Sequence, residues 1–254
     1  MIPDFQLGGR PWIAGHRGAL PELENTIPSF RRAVAEGASF IECDVQISAD
    51  GELVIFHDER LARLAGDDAR RVEDLPASAL RQLALPAPGA PHREAKIPTL
   101  TELFAALPEG FPVNVELKRY RARRRPFADA ALATLALRDN VLVSSFDWTL
   151  LELLREQSRT LPLAPIADRL SARTVEAAAR IEAAAFHLGR LPERPAELPL
   201  PVLVYTVNEP EAARSLFERG AAGVFTDRPG LIRAATTAPK ASPGVVGRAP
   251  GSVV

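Results

Sequence analysis

Trp12-Ile13-Ala14-Gly15-His16 is a short apolar run that closes on a histidine, and Arg17-Gly18 breaks it off. A run of this length with a turn signal behind it reads as a buried strand. Leu53-Val54-Ile55-Phe56 repeats the pattern and closes on His57. Between them, Phe40-Ile41-Glu42-Cys43-Asp44-Val45-Gln46 is a third apolar run that carries two carboxylates. Polar groups gathered at the ends of buried strands are the arrangement that lines the active site of a βα barrel.

Outward from this stretch, short apolar runs alternate with longer amphipathic ones. Strands are expected at Trp12–His16, Phe40–Gln46, Phe111–Leu117, Val141–Ser144, Leu161–Ile166, Ala183–Phe186, Val202–Thr206 and Gly223–Thr226. Helical periodicity is expected over Thr26–Glu36, Thr99–Leu107, Pro126–Arg138, Trp148–Ser158, Thr174–Ile181 and Pro210–Arg219. Thr99-Leu100-Thr101-Glu102 has capping-box spacing, and Asp147 and Asn208 are N-cap residue types just ahead of helical periodicity. Asp227 reads as the N-cap of a final helix with Pro229 in its first turn. The Pro-rich stretch Leu191–Pro201 has room only for a short helical turn. No Gly-x-Gly-x-x-Gly turn follows the first strand, so a closed parallel barrel is favoured over a dinucleotide-binding open sheet. The expected fold is α/β, a TIM-like (β/α)8 barrel. It forms one catalytic domain over residues 1–236, with a small insertion at about 59–97 after the second barrel strand, and the tail 237–254 is expected to be disordered.

Composition narrows the function. A chain of 254 residues with 46% hydrophobic content can bury one substantial core. A formal net charge of −1 argues against a nucleic-acid partner, which would require a basic footprint. The single cysteine, Cys43, excludes an internal disulfide and a thiolate metal cage, and its position between Glu42 and Asp44 turns it to the opposite strand face, into packing. There is no secretory-type leader pattern and no apolar run of membrane-spanning length, so a soluble cytoplasmic protein without an integral membrane segment is expected.

Glu42 and Asp44 are two apart on a strand and leave the same face. Glu116, near the end of the next barrel strand, can complete a three-carboxylate oxygen site of the kind that suits a hard divalent ion. The bland reading is an acidic strand end paired to Arg17 or Lys118. His16 and His57, with an ordinary pKa of about 6.5, are suited to general acid and base work, and either could begin as the base. Arg17 and Lys118 are candidates for phosphate oxygens, the lysine being conspicuous because the chain's only other lysines are Lys96 and Lys240. Glu24 and Asn25 can bind substrate or cap the following helix. His92 and His187 fit no comparable group and read as structural or exposed. Asp58 reads as a loop cap.

Taken in order, His16-Arg17-Gly18, Leu23-Glu24-Asn25-Thr26, Glu42-Cys43-Asp44, His57-Asp58, Ile97-Pro98-Thr99-Leu100, Val115-Glu116-Leu117-Lys118, Ser144-Ser145-Phe146-Asp147, Tyr205-Thr206-Val207-Asn208 and Gly223-Val224-Phe225-Thr226-Asp227-Arg228-Pro229 resemble the glycerophosphodiester phosphodiesterases. The likeness spans roughly residues 12 to 235. Three features depart from the usual pattern: Leu23 stands in place of proline, the interval from His16 to Glu24 is about one residue shorter, and Tyr205 replaces tryptophan.

The resemblance implies metal-dependent hydrolysis of a small-molecule glycerophosphodiester to glycerol 3-phosphate and an alcohol, by attack of a glycerol hydroxyl or of water. It assigns one divalent cation, Mg²⁺ or Ca²⁺ with Mn²⁺ as a third choice, to Glu42, Asp44 and Glu116, and acid/base roles to His16 and His57. Arg17, Lys118, Glu24, Asn25 and Tyr205 are then substrate-binding, and the insertion sits over the barrel mouth. A related barrel phosphodiesterase acting on lysophospholipid or phosphoinositide, and a non-catalytic phosphoester-binding barrel, are the rival readings.

Overall fold

The computed structural model describes residue 9 and residues 11–66, 70–86 and 94–237. In chain order the first elements are strand β1 (Trp12–His16), helix α1 (Ile27–Ala35), strands β2 (Phe40–Ile47) and β3 (Leu53–Ile55), helices α2 (Ala62–Ala65) and α3 (Ala77–Leu80), and the short strands β4 (Leu85–Pro86) and β5 (Glu94–Ala95). Then follow α4 (Leu100–Ala106), β6 (Val113–Leu117), α5 (Arg124–Leu135), β7 (Val141–Ser145), α6 (Trp148–Gln157), β8 (Leu163–Ala167) and α7 (Ala172–Arg180). The last described elements are β9 (Phe186–Leu188), β10 (Val202–Val204), α8 (Pro210–Glu218), β11 (Gly223–Thr226) and α9 (Pro229–Thr237).

β1 pairs in parallel with both β2 and β11, and the parallel ladder runs on from β2 through β6, β7, β8, β9 and β10 to β11. That closes an eight-stranded parallel barrel with helices between strands, as expected. The Leu53 run is no barrel strand: β3 folds back antiparallel on β2, pairing Val45 with Ile55. His57 therefore reaches the mouth from a hairpin beside the barrel.

Strand parity divides the core in two. Ile41, Cys43, Val45, Val113, Val115 and Val143 face outward and pack with Phe30, Leu103, Phe127 and Leu151 of the helices. Phe40, Leu142, Leu203 and Phe225 fill the barrel between the small Ala14, Ala164 and Ala185. Phe40 and Phe225 meet edge to face with centroids 5.7 Å apart, so the interior is a packed floor, not a pore. Above that floor the same inward parity presents Glu42, Asp44, Asn114, Glu116 and Ser144.

Between 59 and 97 the described residues Leu61, Val72, Leu80, Leu85 and Ile97 pack with Val54 and Phe56 of the β3 run in a second core. Leu23 belongs to this second core, so the residue that departs from the family pattern anchors the β1–α1 loop to the insertion.

Some local expectations hold and others need correction. Thr99 and Asp147 cap their helices by accepting from Glu102 N and Leu150 N. Asn208 does not cap α8, whose N-cap is Glu209; its side chain instead binds Thr226 and Asp227. Asp227 gives its two oxygens to His16 and Asn208, not to the start of α9. β9 begins at Phe186 where the sequence placed the strand's end, because an Ala183-Ala184-Ala185 lead-in carries no parity signal. Leu191–Pro201 holds one 3₁₀ turn, Pro195–Glu197. No helix among the described residues is long and apolar enough to cross a membrane. His92 and the tail from 238 on lie outside the described residues.

Candidate active site

The strand ends of β1, β2 and β6 converge on one cavity of about 190 Å³ at the barrel mouth, with His16, Arg17, Glu42, His57, Glu116 and Lys118 in its wall. The turn after β1 makes this possible. Arg17 and Gly18 both take positive φ, +54° and +99°, and the Ser29 hydroxyl donates to Arg17 O at 2.9 Å. A Cβ on Gly18 would lie 2.2 Å from that hydroxyl oxygen, so glycine is required where the chain folds against α1.

Glu42, Asp44 and Glu116 are buried, and one oxygen of each lies within 4.8 Å of the others. Each is held from behind. Arg17 N donates to Glu42 Oε2 at 2.9 Å, and Asn25 Nδ2 donates to Asp44 Oδ2 at 2.8 Å. Arg17 Nε stands 2.9 Å from Asp44 Oδ2, while Lys118 Nζ stands 2.6 Å from Glu116 Oε1 and 3.3 Å from Asp44 Oδ1. Glu42 Oε1 is buried with no hydrogen-bond partner. Two cations thus face three carboxylates, and one acid must keep a proton. Burial first and the Asp44 charge second push Glu42 up to about 8. Asp44 is also buried, yet the Lys118 and Arg17 charges hold it down to about 2. Burial and Asp44 raise Glu116 as well. Oxygen donors only, an orphaned carboxylate oxygen and one uncompensated negative charge fit a hard divalent cation.

The two histidines flank this cluster in unequal settings. His16 Nδ1 donates to Asp227 Oδ1 at 2.8 Å, and His57 Nδ1 donates to Asp58 Oδ1 at 2.6 Å, which leaves Nε2 of each for proton exchange. Burial pulls His16 down, but the Asp227 hydrogen bond and the Glu42 charge outweigh it and its pKa is raised. For His57 burial wins over the attraction of Asp44, helped by the charge of Arg17, and its pKa is lowered. The Asp58 partner of His57 is itself shared: the Arg63 guanidinium on α2 binds Asp58 Oδ2 at 2.5 Å and Glu24 Oε1 at 2.6 Å.

Among the other sequence candidates, Tyr205 is on the cavity wall, edge to face with Phe146 at 6.2 Å. Glu24 bridges Arg17 and Arg63 and lines a neighbouring cavity with Glu22 and Asp227. Asn25 is buried against Asp44 and is on neither cavity wall. Sequence reasoning missed four members: Asp58, taken for a loop cap, which binds His57; Asp227, taken for a helix cap; Arg63, one arginine among many; and His187, which is buried and lines the cavity.

The family model for glycerophosphoryl diester phosphodiesterases matches residues 15–231, from the end of β1 into α9. The chain belongs to that family. A Bacillus subtilis protein of uncharacterised function, YqiK, is 30% identical over 234 residues, 85% of this chain and 95% of its own. A glycerophosphodiester phosphodiesterase of Caldanaerobacter subterraneus is 27% identical over 229 residues, covering 85% and 94%. The barrel superimposes with a TM-score of 0.83 and 26% identity on an Oleispira antarctica phosphodiesterase solved with its product sn-glycerol-3-phosphate, over 90% of this chain and 97% of that one. The family's barrel is therefore present here over nearly its full length.

Proposed function

We propose that this phosphodiesterase cleaves glycerophosphodiesters to glycerol 3-phosphate and an alcohol, with residues 1–236 acting as one catalytic domain and a divalent cation, Mg²⁺ or Ca²⁺ with Mn²⁺ as a third choice, as cofactor. The observation that carries this reading is that His16 and His57, each bonded to an aspartate, line one cavity together with Glu42 and Glu116 of a buried carboxylate triad.

Glu42, Asp44 and Glu116 would hold the ion, which when bound supplies positive charge to the phosphoryl oxygens and acidity to a nucleophilic hydroxyl. Arg17 and Lys118 bind the remaining phosphoryl oxygens; their carboxylate partners fix them in place before substrate arrives. His57, kept neutral, accepts the proton of the attacking hydroxyl. His16, kept protonated by Asp227, gives its proton to the departing alkoxide. Two groups whose surroundings drive their pKa values apart divide the work of acid and base in this way. Asn25 serves by holding Asp44, and Glu24 by holding Arg17.

The test is release of glycerol 3-phosphate from glycerophosphoethanolamine by protein stripped of metal and then reloaded. Activity should vanish with chelator and return with Mg²⁺, Mn²⁺ or Ca²⁺. Full turnover by the stripped protein would refute the reading.

A further inference from the structure

Three buried polar atoms that take no part in the proton or phosphate chemistry line the same cavity. His187 Nε2, Asn114 Oδ1 and the Tyr205 hydroxyl have no hydrogen-bond partner. They come from the middle of β9, the inward face of β6 two residues below Glu116, and the residue that follows β10. His187 and Asn114 are each 1% exposed. An unpaired polar atom in such a place is costly, so three around one space are a strong demand for a ligand that can satisfy them.

We propose that His187, Asn114 and Tyr205 form a hydroxyl-recognising subsite that selects the polyol half of the substrate, an inference that rests on the proposed hydrolase reading and names what that site prefers. The three atoms belong to neutral side chains, which suits a neutral hydrogen-bonding group. Asn114 already donates from Nδ2 to Ser144 Oγ at 3.0 Å, so its free Oδ1 is an acceptor. The His187 ring is packed edge to face on Phe225 at 4.8 Å, and burial alone holds it neutral down to about pH 3. A neutral imidazole offers one donor and one acceptor, and a phenol offers both. None of the three carries a formal charge, and the charge in the same cavity comes from other residues, Lys118 Nζ standing 5.6 Å from the centroid of the Phe146 ring. Ile166, Phe146 and Phe225 complete the wall with apolar surface. A neutral group carrying adjacent hydroxyls on a short carbon chain fits this combination: its oxygens pair the three atoms and its carbons meet the apolar wall.

The test uses the Mg²⁺-loaded protein and compares binding of glycerol 3-phosphate with that of propyl phosphate, which has the same phosphate and chain length without hydroxyls. His187→Phe keeps a ring and removes both nitrogens; His187→Gln restores a donor and an acceptor. The expected result is that His187→Phe weakens glycerol 3-phosphate about 10- to 100-fold, the scale of a buried hydrogen-bond partner lost. Propyl phosphate should change less than about threefold, and His187→Gln should recover most of the loss. An equal change for both ligands, or none for either, overturns the proposal. If His187→Phe does not give a cooperative melt, Tyr205→Phe, which deletes one hydroxyl, is put to the same comparison with the same criteria. Because the measurement is binding, wild-type protein that binds glycerol 3-phosphate selectively yet cleaves no glycerophosphodiester would end the hydrolase reading and leave the subsite standing.

Discussion

Replacing Glu42 by glutamine separates the electrostatic cost of the carboxylate cluster from its use. Glutamine keeps the chain length and an oxygen to accept from Arg17 N, now 2.9 Å away, but carries no charge. In the metal-free protein the Glu42 carboxyl is raised from 4.5 to about 8, by burial first and by Asp44 second. A raised acid binds more protons in the folded than in the unfolded chain between those two values. Stability is then intact below pH 4.5, declines as pH rises, and reaches its full loss above about 8. At about 1.4 kcal/mol per unit the shift corresponds to at most about 5 kcal/mol, and relaxation of the site brings the expectation to about 3 kcal/mol. For a domain of this size that is roughly 6–12 °C in Tm. Glu116, Asp44 and His16 titrate in both proteins, so the difference between them carries the Glu42 charge together with its coupling to those neighbours. In chelator, melting curves of Glu42→Gln and wild type should nearly coincide at pH 5, with the variant higher by roughly 6–12 °C at pH 8.5. Saturating Mg²⁺ should raise the wild type and leave the variant almost unmoved, since a carboxylate ligand is gone. A Tm difference independent of pH, or an equal Mg²⁺ response in both proteins, would refute the placing of the cation and of the shared proton.

His16→Ala and His57→Ala should each lower kcat by roughly 10²- to 10⁴-fold with little change in Mg²⁺ affinity, read by steady-state hydrolysis beside metal titration; near-normal turnover would make that histidine structural. The wild-type rate should be bounded on the acid side by protonation of His57, whose pKa is lowered, and on the alkaline side by loss of the His16 proton, whose pKa is raised. Arg63→Ala should release the Asp58 charge to His57, raise the His57 pKa and move the acid limb to higher pH, while costing no more than about 1 kcal/mol of stability because Arg63 is half exposed. An acid limb that stays in place would show that Arg63 only ties the insertion down.

Much of the site was legible along the chain because strand parity is a local property. Glu42 and Asp44 share a face whatever the tertiary fold, and Cys43 between them must take the other. The alternation of apolar runs with amphipathic ones specifies strands joined by helices, and eight such units leave few ways to cover both sheet faces other than a closed barrel. His16, Glu42, Glu116 and Lys118 were all visible as polar groups closing apolar runs.

Closure of the barrel decided the rest, because it joins residues that have no local relation. Asp227 looks like a helix cap in its own surroundings, and becomes the partner of His16, 211 residues away, only because β11 lies beside β1. Asn208 is drawn to Asp227 by the same adjacency and leaves α8 to Glu209. Arg63 meets Asp58 and Glu24 because the insertion's core, with Leu23 in it, packs over the β1 turn. His187 was missed for a different reason. A lead-in of three alanines has no inward or outward preference, so only pairing with Val202–Val204 on one side and Ile166–Ala167 on the other sets the register that sends Ala185 and His187 into the barrel and Phe186 out to the helices.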